Sequence, residues 1–118
     1  MISGGNATVF VSDLEKSVGF YRDTLELKVK LHAPGHFAMI DAGGGFLIGL
    51  HPAGKGPTPG TRGCVEIGLL VTQPIEEVVE RLKAKGVTFT SEVTQDGPVK
   101  LAGFSDLDGT VLYLCEES

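Results

Sequence analysis

The sequence predicts an α+β fold built from two βαβββ modules in tandem, because one pattern of strands and helix occurs twice. Residues 10–14 and 70–74 each pass from an apolar strand into the start of a helix, 60 residues apart. Each half then ends in a glycine turn and an apolar strand, at 45–50 and again at 109–114, 64 residues apart. A repeat of this length indicates two copies of one supersecondary unit.

Module one is expected at about residues 5–52. Ser12 is a suitable helix N-cap, and Glu15 three residues later completes a capping box. Apolar residues at helical spacing follow, namely Leu14, Val18, Tyr21 and Leu25. Alternating apolar and polar residues predict strands at 6–11, 27–32, 37–41 and 46–51.

Module two is expected at about residues 64–117, after a linker at about 53–63 that is rich in proline and glycine. Thr72 is predicted to cap its helix, with Pro74 in the first turn and Gly86 at the end. The remaining patterns predict strands at 65–71, 87–93, 99–104 and 110–115.

Composition and charge limit the possible functions. The single domain of residues 1–118 is 42% hydrophobic and carries a formal net charge of −5, with ten scattered basic residues. This balance argues against nucleic acid and membranes as partners. No apolar run approaches the length of a membrane span and the first residues lack a signal-peptide pattern, so a cytoplasmic protein is expected.

Neither the cysteines nor the linker cations form a recognisable site. Cys64 and Cys115 are far apart in sequence and lack metal-binding spacing, so both are predicted to be buried free thiols. Lys55 and Arg62 could reach an anionic ligand, but solvated loop charges are the commoner case.

Three parts of the chain together resemble the vicinal oxygen chelate superfamily of glyoxalases, extradiol dioxygenases and fosfomycin- and bleomycin-resistance proteins. They are the opening strand and helix at 11–17 and 20–25, the second strand and helix end at 65–71 and 82–87, and the Asp-Gly turn at 104–109. Two departures stand out: Leu107 replaces the usual proline of the turn, and Glu26 stands where a glycine commonly follows the first helix.

The resemblance implies a curved sheet around a pocket, a homodimer, and in some members a divalent metal held by four side chains. The matching positions in this chain are Asn6, Gly49, Glu66 and Tyr113. Only Glu66 is a good metal ligand, so the inherited metal site is expected to be lost and no cofactor is predicted. His51, two residues after Gly49 on the same strand face, could form a weak site with Glu66 and remains a disfavoured alternative. His32 and His36 flank a turn and are expected near solvent.

Glu66 is the predicted catalytic candidate. Along 65–71, Val65, Ile67, Leu69 and Val71 share a face suited to a helix, whereas Glu66, Gly68 and Leu70 share the face suited to a cavity. If it is enclosed, the Glu66 carboxylate is a candidate general base; the alternative is that it merely hydrogen-bonds Asn6, Tyr113 or a backbone amide. The predicted substrate-binding residues are Asn6, Phe37, Gly49, His51, Phe104 and Tyr113, although ordinary core packing is the favoured role for Phe37 and Phe104.

Two functions follow, and the residues leave both open. The first is a metal-independent small-molecule-binding protein that sequesters a drug or metabolite. The second is a glyoxalase-like lyase or isomerase, or a dioxygenase-related enzyme, that uses Glu66 with or without a divalent metal. A purely structural role is a third, weaker possibility.

Overall fold

The computed structural model describes residues 1, 5–61 and 66–117, and the chain divides into two compact units, Met1–Gly60 and Thr61–Ser118. The first unit contains β1 (Asn6–Val11), α1 (Leu14–Gly19), a π-helical segment (Phe20–Thr24), β2 (Lys28–Ala33), β3 (Phe37–Asp41) and β4 (Leu47–Pro52). The second contains β5 (Ile67–Leu70), α2 (Ile75–Ala84), β6 (Thr94–Asp96), β7 (Val99–Ser105) and β8 (Val111–Glu117). The predicted α+β fold with two βαβββ modules is therefore confirmed.

The two sheets have the same topology and the same register. Their strand orders are β1-β4-β3-β2 and β5-β8-β7-β6, and in each the first and last strands of the module pair in parallel. Ala7 pairs with Ile48 in module one, and Ile67 pairs with Leu112 in module two. These pairs are related by the 60- and 64-residue offsets of the sequence repeat, so the repeat holds at the level of single residue pairs.

Each sheet has one face covered by its own helix. In module one, α1 packs on β3 and β4, and the buried side chains include Val11, Val18, Ile40, Ile48 and Leu50. Full burial of an aliphatic side chain of this size contributes about 1.5–3 kcal/mol to stability. In module two, α2 packs on β7 and β8 over a core that includes Ile75, Leu82, Phe104 and Leu112.

The cap of α1 differs from the prediction. Asp13, not Ser12, is the N-cap, because its extended backbone lets its side chain accept the amide of Lys16 at 3.0 Å. Glu15 is consequently free of the predicted capping box. Its carboxylate instead accepts the amide of Gly35 at 3.2 Å and lies 2.9 Å from His32 Nε2. The His32 side chain is 27% exposed in this contact, and His36 is exposed as expected.

The cap of α2 also comes from elsewhere than predicted. Pro74 occupies the N-cap position and offers no side-chain hydrogen bond, and Thr72 lies outside the helix. The free amide of Ile75 donates instead to Glu116 Oε1 on β8, at 2.6 Å. The negative charge of Glu116 is favourable at the positive N-terminal end of the helix. Because Glu116 is on β8, the contact also links α2 to the sheet.

The segment predicted as a strand at 87–93 meets the sheet only at one bridge, between Phe89 and Phe104. The regular pairing with β7 is made by β6, at residues 94–96. The cause is a side chain: Ser91 Oγ accepts the amide of Gly103 at 2.9 Å, which takes the place of a backbone partner.

Predictions for Arg62, Cys64 and Val65 lie outside the described residues. Cys115 is described, and it is half-buried on β8 and not fully buried as expected. None of the helices in the described part of the chain has the length and apolar character needed to cross a membrane.

Candidate functional site

The candidate site lies on the face of the second sheet that α2 does not cover. Burial alternates along β8: Leu112 and Leu114 are buried, whereas Val111, Tyr113 and Cys115 are half-buried and point to the opposite face. Strand β5 alternates in the same way, with Ile67 buried and Gly68 exposed. The predicted division of faces on this strand is therefore correct for the described residues.

A row of three residues across the sheet positions Tyr113 at the site. Tyr113 is paired with Gly68 on one side and with Gly103 on the other. A Cβ atom at Gly68 would lie 2.5 Å from Tyr113 Cζ and 2.6 Å from its hydroxyl oxygen. The tyrosine ring therefore lies directly on the backbone of β5, in space that any side chain at position 68 would occupy.

The other side of the tyrosine is bordered by residues 90 and 91. A Cβ atom at Gly103 would lie 2.9 Å from Thr90 Oγ1 and 3.4 Å from Ser91 Oγ. The amide of Thr90 also donates to the carbonyl of Gly103 at 2.8 Å. The bare backbone of Gly103 thus lets this segment approach closely and form one wall of the site.

Together these features leave an open cavity of about 780 Å³. This is the size of sites that hold drug-sized ligands. Its described lining combines hydroxyl groups, apolar side chains, one thiol and one carboxylate: Glu66, Thr90, Ser91, Thr94, Val99, Leu101, Gly103, Val111, Leu112, Tyr113 and Cys115.

The charged residues on the opposite face form a separate network. Lys100 Nζ lies 3.1 Å from Glu76 Oε2 on α2. Hydrogen bonds from its own backbone amide and from Lys100 lower the pKa of Glu76, and the Glu76 carboxylate raises the pKa of Lys100. The ammonium of Lys100 is therefore directed to the helix side and away from the cavity lining.

The equivalent row in module one has the opposite pattern. Gly49 is paired with Thr8 and with Met39, the positions that correspond through the repeat to Gly68 and Gly103. The space beside Gly49 is filled, because a Cβ there would lie 3.1 Å from Asn6 Nδ2 and 3.2 Å from Thr8 Oγ1. A depression of about 100 Å³ lies on this face.

Four predicted site residues gather at that depression, namely Asn6, Phe37, Gly49 and His51. Asn6 Nδ2 donates to Thr8 Oγ1 at 3.1 Å. His51 is exposed, with its ring against Phe10 at 5.7 Å between centroids and Nδ1 2.9 Å from the Pro52 carbonyl oxygen. His51 does share a strand face with Gly49, as predicted from their spacing.

Of the residues predicted in module two, Glu66 and Tyr113 line the 780 Å³ cavity together. Phe104 does not line it: its exposed fraction is 0%, and its ring packs against Phe89 at 5.6 Å. The reason is the strand period of two, which directs Phe104 to the helix side, whereas its neighbour Gly103 faces the cavity. The wall-forming role predicted for Phe104 is therefore wrong.

Three of the four positions that the resemblance relates to metal ligands carry no strong donor, because Asn6 has a neutral amide, Gly49 has no side chain and Tyr113 has a phenol. Glu66 is the fourth position and the one strong ligand among them. Within residues 1, 5–61 and 66–117, no three His, Cys, Asp or Glu side chains are grouped so that they could hold an ion. A tight site needs three or four nitrogen, oxygen or sulfur ligands in suitable geometry.

Fold and motifs together define a family. The model of the glyoxalase/bleomycin resistance protein/dioxygenase superfamily matches residues 5–114 of this chain. The chain belongs to this superfamily.

Individual relatives include proteins of several kinds. An uncharacterized Bacillus subtilis protein, YurT, is 32% identical over 93% of this chain and 95% of its own. A superfamily member from Sphaerobacter thermophilus has a TM-score of 0.82 and 28% identity, over 99% of this chain and 98% of that one. TnmS3, an antibiotic-binding protein of a Streptomyces species, has a TM-score of 0.81 and 25% identity, over 100% and 98% of the two chains.

The sequence reasoning missed much of the cavity wall. Thr90, Ser91 and Cys115 were not predicted as site residues, although all three line the cavity. Cys115 could have been found from its even spacing to Tyr113 on the same strand. Thr90 and Ser91 could not have been found in this way, because the sequence predicts a regular strand at 87–93.

Proposed function

We propose that this protein is a metal-independent small-molecule-binding protein that sequesters an organic ligand in the module-two cavity. The observation that carries the proposal is the 780 Å³ cavity lined by Glu66, Tyr113 and Gly103. Its mixed lining of hydroxyl and apolar groups is typical of sites that bury a partly polar organic molecule. The likeness to an antibiotic-binding protein of nearly the same length supports the same function.

Metal independence is part of this proposal, and the donor set supports it. Among the four inherited positions, only Glu66 supplies a strong ligand for a divalent ion. Added Mg²⁺, Mn²⁺, Ni²⁺ or Zn²⁺ should therefore leave the melting temperature unchanged, because a ligand stabilises the folded state only if it binds that state. Stoichiometric metal binding with a clear rise in melting temperature would contradict it.

Chemical protection of Cys115 tests the cavity directly. This half-buried thiol lies on the lining, two residues after Tyr113. A compound that raises the melting temperature in a screen should also slow alkylation of Cys115 by iodoacetamide, as measured by peptide mass spectrometry. Stabilising compounds that leave the alkylation rate of Cys115 unchanged would place the binding site elsewhere.

A catalytic role for Glu66 is the second candidate. The observation that favours it is that Glu66 and Tyr113 line one cavity, which brings a carboxylate and a phenol hydroxyl to the same ligand. In this case Glu66→Gln should abolish turnover of a substrate while its binding persists. Turnover that survives the substitution would remove Glu66 as the base.

Homodimerisation and a cytoplasmic location complete the proposal. Both come from the family resemblance and from the composition, and light scattering after size-exclusion chromatography measures the first. A monomer at micromolar concentration would contradict it.

A further inference from the structure

We propose that the ligand of the module-two cavity is a planar organic cation, a protonated aromatic amine held between Glu66 and Tyr113. This inference rests on the proposed function, since it assigns the chemical class of the ligand in that same cavity. Three observations lead to it: the charge of the lining, the position of the tyrosine ring, and the apolar wall.

The described lining carries a negative charge. Glu66 is its one acidic residue, and no lysine, arginine or histidine occurs among the described residues that line the cavity. Lys100 lies on the neighbouring strand but is engaged by Glu76 on the helix side, 3.1 Å away. An anionic ligand would therefore meet repulsion without a described counter-charge, whereas a cation gains an ion pair with Glu66.

The ring of Tyr113 is placed to receive a flat cation. One side of the ring rests on the backbone at Gly68, where a Cβ would be only 2.5 Å from Cζ. The ring also lines the cavity, so it offers an aromatic surface to the ligand. A cation within about 6 Å of an aromatic centroid is attracted by the ring quadrupole.

The rest of the wall suits the apolar body of such a ligand. Val99, Leu101 and Val111 line the same cavity as Glu66 and Tyr113. A planar aromatic amine would bury its ring system against these side chains and keep its charged nitrogen near the carboxylate. Charge, aromatic surface and apolar wall thus converge on one ligand class.

Three dyes of nearly the same shape test the assignment: 9-aminoacridine, which is a cation at pH 7.5, neutral acridine, and anionic acridine-9-carboxylate. Each is titrated with the protein and followed by its fluorescence. We expect 9-aminoacridine to bind most tightly and acridine-9-carboxylate most weakly. Glu66→Gln should weaken 9-aminoacridine binding about tenfold and leave acridine unchanged.

Two further variants locate the effect. Glu80→Gln removes the same charge from the exposed surface of α2, where Glu80 lies 3.9 Å from Lys83, and should leave all three affinities unchanged. Tyr113→Leu should weaken the cation several-fold more than acridine. Circular dichroism confirms that each variant is folded.

The outcomes separate the two proposals. If acridine binds as tightly as 9-aminoacridine and Glu66→Gln has no effect, the cation assignment is overturned while the proposed binding function stands. Equal losses in Glu66→Gln and Glu80→Gln would attribute the binding to the net surface charge, which also overturns the assignment. If none of the three dyes binds at millimolar concentration to the folded protein, the cation assignment is overturned, whereas the proposed binding function is decided by the Cys115 protection experiment.

Discussion

Replacing Gly68 by alanine should shift the Tyr113 ring without unfolding the protein. The new Cβ would lie 2.5 Å from Cζ, 2.6 Å from the hydroxyl oxygen and 2.8 Å from Cε2 of Tyr113. Carbon atoms normally approach no closer than about 3.5 Å, so the ring must move by about 1 Å. Because its other side borders an open cavity, the ring has room to move in that direction.

The loss of folding stability in Gly68→Ala can be worked out from this geometry. Overpacking a closed core costs about 1–3 kcal/mol, and a site that opens to a cavity lies at the lower end, about 1 kcal/mol. For a chain of this length, that loss lowers the melting temperature by about 4 °C. The cavity should shrink as the ring enters it. The affinity for any ligand of this cavity should therefore fall by a larger factor than the folding equilibrium constant.

A double-mutant cycle with Tyr113→Ala isolates the contact, with melting temperature and chemical denaturation as the assays. In the Tyr113→Ala background, Gly68→Ala should cost almost nothing, since the clashing ring is gone. Gly49→Ala is the matched control in module one, where the flexible side chains of Asn6 and Thr8 need yield only a few tenths of an ångström. An equal loss from Gly68→Ala in both backgrounds would refute the reasoning.

Three further predictions concern stability and charge. Glu116→Ala removes the 2.6 Å acceptor of the Ile75 amide and should cost about 1 kcal/mol in chemical denaturation, with Glu116→Gln losing less because it keeps an acceptor. Glu26 has a φ of 61°, so Glu26→Gly should raise stability by about 0.5–1 kcal/mol, whereas Glu26→Gln should not. The pKa of Glu76 is lowered, so the stability that it adds is present above the ordinary glutamate pKa of about 4.3 and is lost as the pH falls through the lower, folded value. Lys100→Met should move this pKa back up in an NMR titration, and an unchanged value would show that Lys100 has no part in it.

Much of the fold could be predicted from local pattern. The strand at 6–11 and the strand at 37–41 coincide with β1 and β3, because alternation and flanking turns fix strands of this kind. Glu26 was singled out as a replacement for a glycine, and its left-handed backbone explains why a glycine suits that position.

The errors arose where a distant residue decides the local structure. The cap of α2 comes from Glu116, which is 41 residues away in sequence, so no local pattern could indicate it. The strand predicted at 87–93 fails because the side chain of Ser91 takes the amide of Gly103. Neither of these two long-range hydrogen bonds can be predicted from hydrophobic alternation.

The site could be predicted only in part, because some of its features depend on pairing between distant strands. Glu66 and Tyr113 were found because the repeat relates them to known positions of a family. The roles of Gly68 and Gly103 depend on which residues lie side by side across three strands. This register is a property of the folded sheet, and a glycine gives little indication of it in sequence.

The opposite side-chain patterns of the rows Gly68–Tyr113–Gly103 and Thr8–Gly49–Met39 affect how the two modules respond to mutation. In module two, the row has side chain only at its centre, Tyr113, and it borders the large cavity. In module one, the row has side chains only at its flanks, Thr8 and Met39, and it borders the depression of about 100 Å³. If the module-two cavity binds a ligand as we propose, equivalent substitutions should be selected for binding in module two and for packing in module one. New ligand preferences could then evolve in module two while the sheet of module one stays unchanged.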